Sequence, residues 1–243
     1  MRTKLKILFV LFVTHVLSSS AWAGGKNTST GFIDLNVYGH LSDVDADSVV
    51  TINTAASLPN RFSYFSLTNL INQPGAGELE DTTAYYTEQN IRWQISDGSP
   101  LDLTAQFNFR TGQDNDRHRL GARWRLNDTS YLKDFFSAIY LNWAINIHAY
   151  QWDSEPGYVW QIEHTYRMTF PYLSNRLYLA GFIDHTFNQD LPENFPSNPV
   201  VWEAQMGYEM FDNFYAIMEY RVNQYNRNDV NNLAAGIQYL IKW

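Results

Sequence analysis

The 243-residue chain contains no cysteine. That excludes disulfides, thiolate metal sites, a cysteine nucleophile and a lipidated N-terminal cysteine. Charge is also scarce. Only 17% of residues are Asp, Glu, Lys or Arg, where a soluble globule carries roughly a quarter. Basic residues are the scarcer sign: 17 Lys and Arg against 25 Asp and Glu leave a net charge of -8. That balance argues against a nucleic-acid polymer as partner. Past the N-terminal segment, no apolar run approaches the roughly 20 residues of a membrane-spanning helix. A mean hydropathy of -0.36 is too polar for a bundle of such helices. What the chain has in excess is aromatic: 16 Tyr, 15 Phe and 8 Trp, 16% of all residues.

The N-terminal segment reads as an export signal. Arg2, Lys4 and Lys6 form a basic start, Ile7 to Leu17 an apolar stretch, and Ala21-Trp22-Ala23 a small-x-small cleavage site. Cleavage removes residues 1-23 and leaves 24-243 as one domain. It removes three basic and no acidic residues, so the net charge falls from -8 to -11.

After residue 30 the apolar residues recur at every second position, with turn clusters about every ten residues. The final segment shows it: Leu233, Ala235, Ile237, Tyr239, Ile241 and Trp243 share one face, while Gln238 and Lys242 lie on the other. Leu101, Leu103, Ala105, Phe107 and Phe109 alternate with Asp102, Thr104, Gln106, Asn108 and Arg110 in the same way. The pattern predicts twelve strands, over 31-41, 49-58, 61-70, 85-95, 101-111, 117-126, 137-150, 157-169, 176-187, 200-211, 214-225 and 232-243. Several match the roughly 9-11 tilted residues that cross a bilayer. With the N-terminus in the periplasm, the two longest loops, 71-84 and 189-199, fall on the outer side, as outer-membrane barrels prefer. Only the 127-136 turn is long for the inner side. The aromatic excess then has a cause, because Trp and Tyr sit at headgroup level. Trp93, Trp124, Tyr158, Trp160, Phe170, Tyr239 and Trp243 fall on lipid-facing parity near strand ends. The expected fold is an all-β, twelve-stranded antiparallel transmembrane barrel of the bacterial outer membrane. Three positions fit poorly. His164 and Gln89 take lipid-facing parity, and the third predicted strand has apolar residues on both faces.

The ending Tyr239, Ile241, Trp243 resembles the C-terminal assembly signal of bacterial outer-membrane barrels, although that signal usually ends in Phe. The resemblance implies the barrel-assembly machinery as a partner, with outer-membrane lipid and lipopolysaccharide around the barrel.

The inward parity carries most of the charge. Arg119, Arg123 and Arg125 line the sixth predicted strand, with Arg92 and Arg110 on its neighbours. Glu163, Asp184, Glu203, Glu209 and Glu219 lie on strands eight to eleven, beside Arg167 and Arg221. One wall is therefore rich in Arg and the other in carboxylate. Strands about 4.8 Å apart and tilted about 40° give a backbone radius of roughly 12 Å, which long side chains narrow further. Such a lumen suits passive diffusion of a small polar or zwitterionic solute, with inward Tyr140, Tyr178 and Phe182 available to stack on a flat ring. The opposite expectation is a lumen plugged by its own paired charges, since buried charges need partners. That would make the barrel a surface adhesin or structural protein.

Catalytic and metal signals are weak. His40 and Ser42 have the His-x-Ser spacing that resembles outer-membrane phospholipases and lipid A deacylases, where the His activates the Ser hydroxyl. Those enzymes act at the lipid-facing surface, whereas His40 shares parity with the inward Asp34, Asn36 and Tyr38. A strand-end His before a loop Ser is favoured over a hydrolase. Asp43, Asp45 and Asp47 alternate as in a calcium loop but lack its Gly and Glu. They read as a solvated acidic loop. No catalytic residue, metal ligand or cofactor is expected.

Between 139 and 190, Tyr150-Gln151-Trp152 closes a long strand, Tyr158 to Tyr166 leads to Phe170-Pro171, and Gly181-Phe182 lies on the next strand. Here the chain resembles the nucleoside-specific channel (Tsx-like) family of twelve-stranded barrels. That resemblance implies nucleosides as the solute, held by inward aromatic and polar groups. The dense aromatic N-terminal region of that family is not evident in residues 24-60.

Overall fold

The computed structural model describes residues 29-41, 48-72, 82-112, 115-152, 158-226 and 230-243. The expected export signal, Ser42, and Asp43, Asp45 and Asp47 lie outside them, as does most of the 71-84 loop.

Twelve strands run in chain order: β1 (Thr30–His40), β2 (Ser48–Ser57), β3 (Phe62–Asn72), β4 (Thr82–Gln94), β5 (Leu101–Arg110), β6 (Arg117–Arg125), β7 (Leu141–Gln151), β8 (Trp160–Phe170), β9 (Ser174–Phe187), β10 (Val200–Phe211), β11 (Phe214–Asn223) and β12 (Asn231–Lys242). Each pairs antiparallel with its sequence neighbours, and β1 pairs with β12, so the sheet closes into a barrel. Closure leaves no edge strand and satisfies the backbone within the wall, as hydrocarbon requires. The architecture is that of an outer-membrane β-barrel.

Alternation fixes the two faces. Ile33, Leu35, Ile237, Tyr239 and Ile241 face outward on β1 and β12, and Asp34, Asn36 and Gln238 face inward. Outward aromatics gather at strand ends. Trp160 stacks on Phe187 at 4.2 Å and Phe211 on Phe214 at 4.6 Å. Most turns at the end that carries both termini are tight, the connection between β6 and β7 excepted. Asn213 takes a left-handed φ of 62° between β10 and β11, and Asn60 and Arg61 take φ values of 59° and 67° between β2 and β3.

The expected seventh strand begins too early. Residues 137-140 belong to a short helix α1 (Lys133–Ala138) and the turn after it, which follows a 3-10 turn at Leu126–Asp128. Phe136 is buried and packs edge-on against Trp143, 6.4 Å away. That contact holds the long connection against the barrel wall.

The poorly fitting positions are resolved by partners. On the lipid-facing side, the Trp143 indole N–H donates to His164 Nδ1 at 3.2 Å. On β3, Phe65, Leu67, Asn69 and Ile71 line the interior. Tyr64, Ser66 and Thr68 therefore face outward. Tyr64 donates to Gln89, the Gln89 amide donates to Thr87 at 2.7 Å, and the Thr68 and Thr87 hydroxyls lie 2.8 Å apart. A polar strip on the outer face thus satisfies itself.

Candidate functional site: the barrel interior

The interior holds one cavity of about 1020 Å³. Its lining reaches Gln189, Asn223 and Tyr225 at the rim away from the termini, and Arg125, Asn127 and Asp128 at the opposite end. Among the described residues the lining of this cavity therefore reaches both ends of the barrel.

Two kinds of wall enclose it. From β4 to β8 the inward side chains are mostly amides and charges, with Tyr86 among them. Asn90, Gln106, Asn146 and His148 have essentially no solvent exposure. From β9 through β12 to β1 the wall is built on tyrosine. Tyr38, Tyr178, Tyr215, Ile217 and Ala234 form one buried cluster. Tyr38 donates to Gln205 Oε1 at 2.9 Å, and the Gln205 amide donates to the Tyr178 hydroxyl at 2.6 Å. Tyr178 donates in turn to Gln238 Oε1 at 2.6 Å, and Gln238 donates to Asp34 at 2.9 Å.

The charges pair sideways along the wall. Asp102 and Arg123 are direct cross-strand partners, with nitrogen and oxygen 2.6 Å apart. Arg125 bridges the same carboxylate and Asp128, the latter at 2.5 Å. On the other side Arg221 meets its cross-strand partner Glu203 at 2.7 Å and Glu219 at 3.1 Å. His148 Nε2 lies 3.2 Å from Glu163 Oε2. Arg119 donates to Gln106 and Gln151, each at 2.7 Å. Each of these ion pairs joins side chains of the same or adjacent elements, so charge is neutralised without spanning the lumen.

Three guanidinium groups lie over rings instead: Arg167 on Tyr178 at 3.9 Å, Arg110 on Tyr86 at 5.2 Å and Arg92 on Phe65 at 5.7 Å. Each gains cation–π attraction and covers a ring face.

Of the residues expected at the lumen, Arg92, Arg110, Arg119, Arg123, Arg125, Glu163, Arg167, Tyr178, Phe182, Asp184, Glu203 and Arg221 line this cavity. Glu219 sits just behind, against Arg221. Tyr140 lies elsewhere. It occupies the turn before β7 with φ 57°, and its hydroxyl is 3.5 Å from that of Tyr172. The turn rotates its side chain out of the alternation that placed it inward. Sequence reasoning passed over Glu88 and Gln205, which share parity with Arg92 and Glu203, and Asp102, which shares parity with Arg110. It also passed over Tyr86 and Tyr225, which share parity with Arg92 and Arg221.

His40, the proposed base of a hydrolase, is paired through Nδ1 with the Asn232 amide at 2.9 Å. Among the described residues no group of three His, Asp or Glu is arranged to hold a metal ion.

No protein-family model matches the chain, and no curated protein matches it. Among solved structures it is similar to a NanC porin, at 12% identity and a TM-score of 0.55, over 86% of this chain and 98% of that one. It is also similar to a KdgM porin, at 12% identity and a TM-score of 0.48 over the same shares. A porin of Rhodopseudomonas blastica follows at 8% identity and a TM-score of 0.36, over 89% and 100%. At such identities the likeness concerns the fold: this chain shares the barrel of an outer-membrane porin.

Proposed function

We propose that the protein is a passive channel for small polar solutes in the bacterial outer membrane. The observation that carries this reading is the cavity of about 1020 Å³ whose lining reaches both ends of the barrel. The lateral ion pairs supply the reason the lumen is not filled by its own charges. A plugged adhesin requires that filling, and the cavity argues against it.

Nucleosides are the more specific reading. Among the rings expected to stack on a base, Tyr140 stands at a turn and Tyr178, 2% exposed, carries Arg167 on its face. The nucleoside version therefore leans on Phe182, which lines the cavity. The outward belt fits lipid and lipopolysaccharide as surroundings, and Tyr239, Ile241 and Trp243 fit delivery by the assembly machinery.

Planar-bilayer recordings test the channel. Steady single-channel conductance from folded protein is expected, and none would overturn the reading. Block by nucleosides would support the specific version.

A further inference from the structure

We propose that the outer mouth of the lumen is a binding subsite for small zwitterionic solutes of the α-amino acid type, with Arg110 facing the carboxylate and Asp184 the ammonium. The inference rests on the channel reading and names the solute class that the same cavity selects.

The first observation is an imbalance of partners. Arg123, Arg125 and Arg221 each bind a carboxylate, and Glu163 is engaged by His148. Among the described residues Arg110 and Asp184 form no ion pair. Arg110 Nε and Asp184 Oδ1 are each buried without a hydrogen-bond partner. Both residues nevertheless line the same cavity.

The second observation is that they share one end of it. Arg110 closes β5, and Asp184 lies three residues before the end of β9, on the rim away from the termini. The Tyr86 phenol, at the cross-strand partner of Arg110, lies within electrostatic reach of both charges and of Arg119. Tyr225 stands in the loop after β11. Burial raises its phenol above the ordinary value. Asp184 adds to the rise, while Arg119 and Arg110 oppose it. Two rings from opposite sides of the mouth thus sense the same cations and the same anion.

The third observation is that both groups are held apart. Arg110 is stacked on Tyr86, whose hydroxyl donates to Glu88 at 3.1 Å. Asp184 is the cross-strand partner of Glu163, a like charge that cannot neutralise it, and is hydrogen-bonded by Gln161. The Tyr225 hydroxyl donates to Gln189 at 3.3 Å and screens the mouth laterally. A guanidinium and a carboxyl group, each short of a partner, are complementary to a solute that carries both signs, because a bound ammonium supplies the counter-charge that Asp184 lacks. A simple anion satisfies Arg110 and leaves Asp184 without its counter-charge, and a simple cation does the reverse.

Uptake of labelled serine, glycerate, ethanolamine and arabinose into liposomes holding the full barrel tests this. Glycerate lacks the ammonium, ethanolamine lacks the carboxylate, and arabinose is neutral. Serine uptake should saturate, with an apparent affinity about tenfold better than glycerate or ethanolamine, the scale of one charge-assisted hydrogen bond. Asp184→Asn should bring serine to the level of glycerate, and Arg110→Gln to the level of ethanolamine, with arabinose entry unchanged in both. Arabinose entry serves as the fold check for each variant, so loss of one barrel leaves the other as the test. Arabinose entry without serine preference overturns the subsite and leaves the channel standing. Failure of arabinose to enter the unmodified barrel overturns the channel itself.

Discussion

The two sides of the lumen solve the same problem with different chemistry. From β4 to β8, buried charges are neutralised by neighbours one strand away, as Asp102 is by Arg123 and Arg125. From β9 to β1, one ion-paired group, Arg221 with Glu203 and Glu219, stands beside a chain of tyrosines and glutamines that runs from Tyr38 through Gln205, Tyr178 and Gln238 to Asp34. The first wall sets a field along the pore, because its charges stay in place. The second wall sets width, because rings take up volume and carry no net charge. Charge therefore acts from both walls, while selection by size falls mainly to the tyrosines.

Four substitutions can break or sharpen that contrast. Asp102→Asn leaves Arg123 without a carboxylate and Arg125 with Asp128 alone, at a position 1% exposed. It should lower stability by about 3 kcal/mol, read by urea unfolding of the folded barrel in detergent. It should also shift the bilayer reversal potential toward anions. An unchanged potential would deny that this wall sets the field. Tyr178→Phe removes two buried hydrogen bonds and keeps the ring, so about 2 kcal/mol should be lost with ion selectivity unaltered. A selectivity change would erase the division between the walls. Arg167→Gln loses the cation over Tyr178, which should cost about 1 kcal/mol and raise conductance slightly through a narrower side chain. Trp143→Phe acts on the outer face alone. Losing the bond to His164 should cost about 0.6 kcal/mol, the mean for hydrogen bonds in membrane proteins, with conductance and selectivity both unmoved.

Much of this architecture was legible in the alternation of residues. β10 was expected at 200-211 and runs Val200–Phe211. Period two reports which face a side chain takes, and it placed Arg119, Arg123, Glu163 and Asp184 on one face. It does not report which neighbour a side chain meets. The Asp102 pair depends on a register in which β5 and β6 set Asp102 opposite Arg123, and register is a property of two strands at once. The early start given to the seventh strand has a local cause. Lys133 to Ala138 coils into a helix whose Phe136 reaches the wall, and Tyr140 then takes a left-handed conformation that interrupts the alternation. β3 was ambiguous because Tyr64, Ser66 and Thr68 face outward, where Tyr64, Gln89, Thr87 and Thr68 satisfy one another, while Phe65, Leu67 and Ile71 face inward. Hydropathy sees a polar side chain and is blind to its partner.

The seam between β1 and β12 has a kinetic consequence. Gly31 and Trp243 exchange backbone hydrogen bonds at 3.1 Å in both directions, and Asp34 meets Gln238 at a separation of 204 residues. Every other strand pairing joins sequence neighbours, so those hairpins can form from local encounters. The seam requires the two ends of the folding unit to meet, the entropically slowest contact in the molecule. Until it forms, β1 and β12 are two open edges able to pair with any other extended chain. The barrel thus spends its most aggregation-prone interval at the last step of its own assembly, and whatever shortens that step protects it.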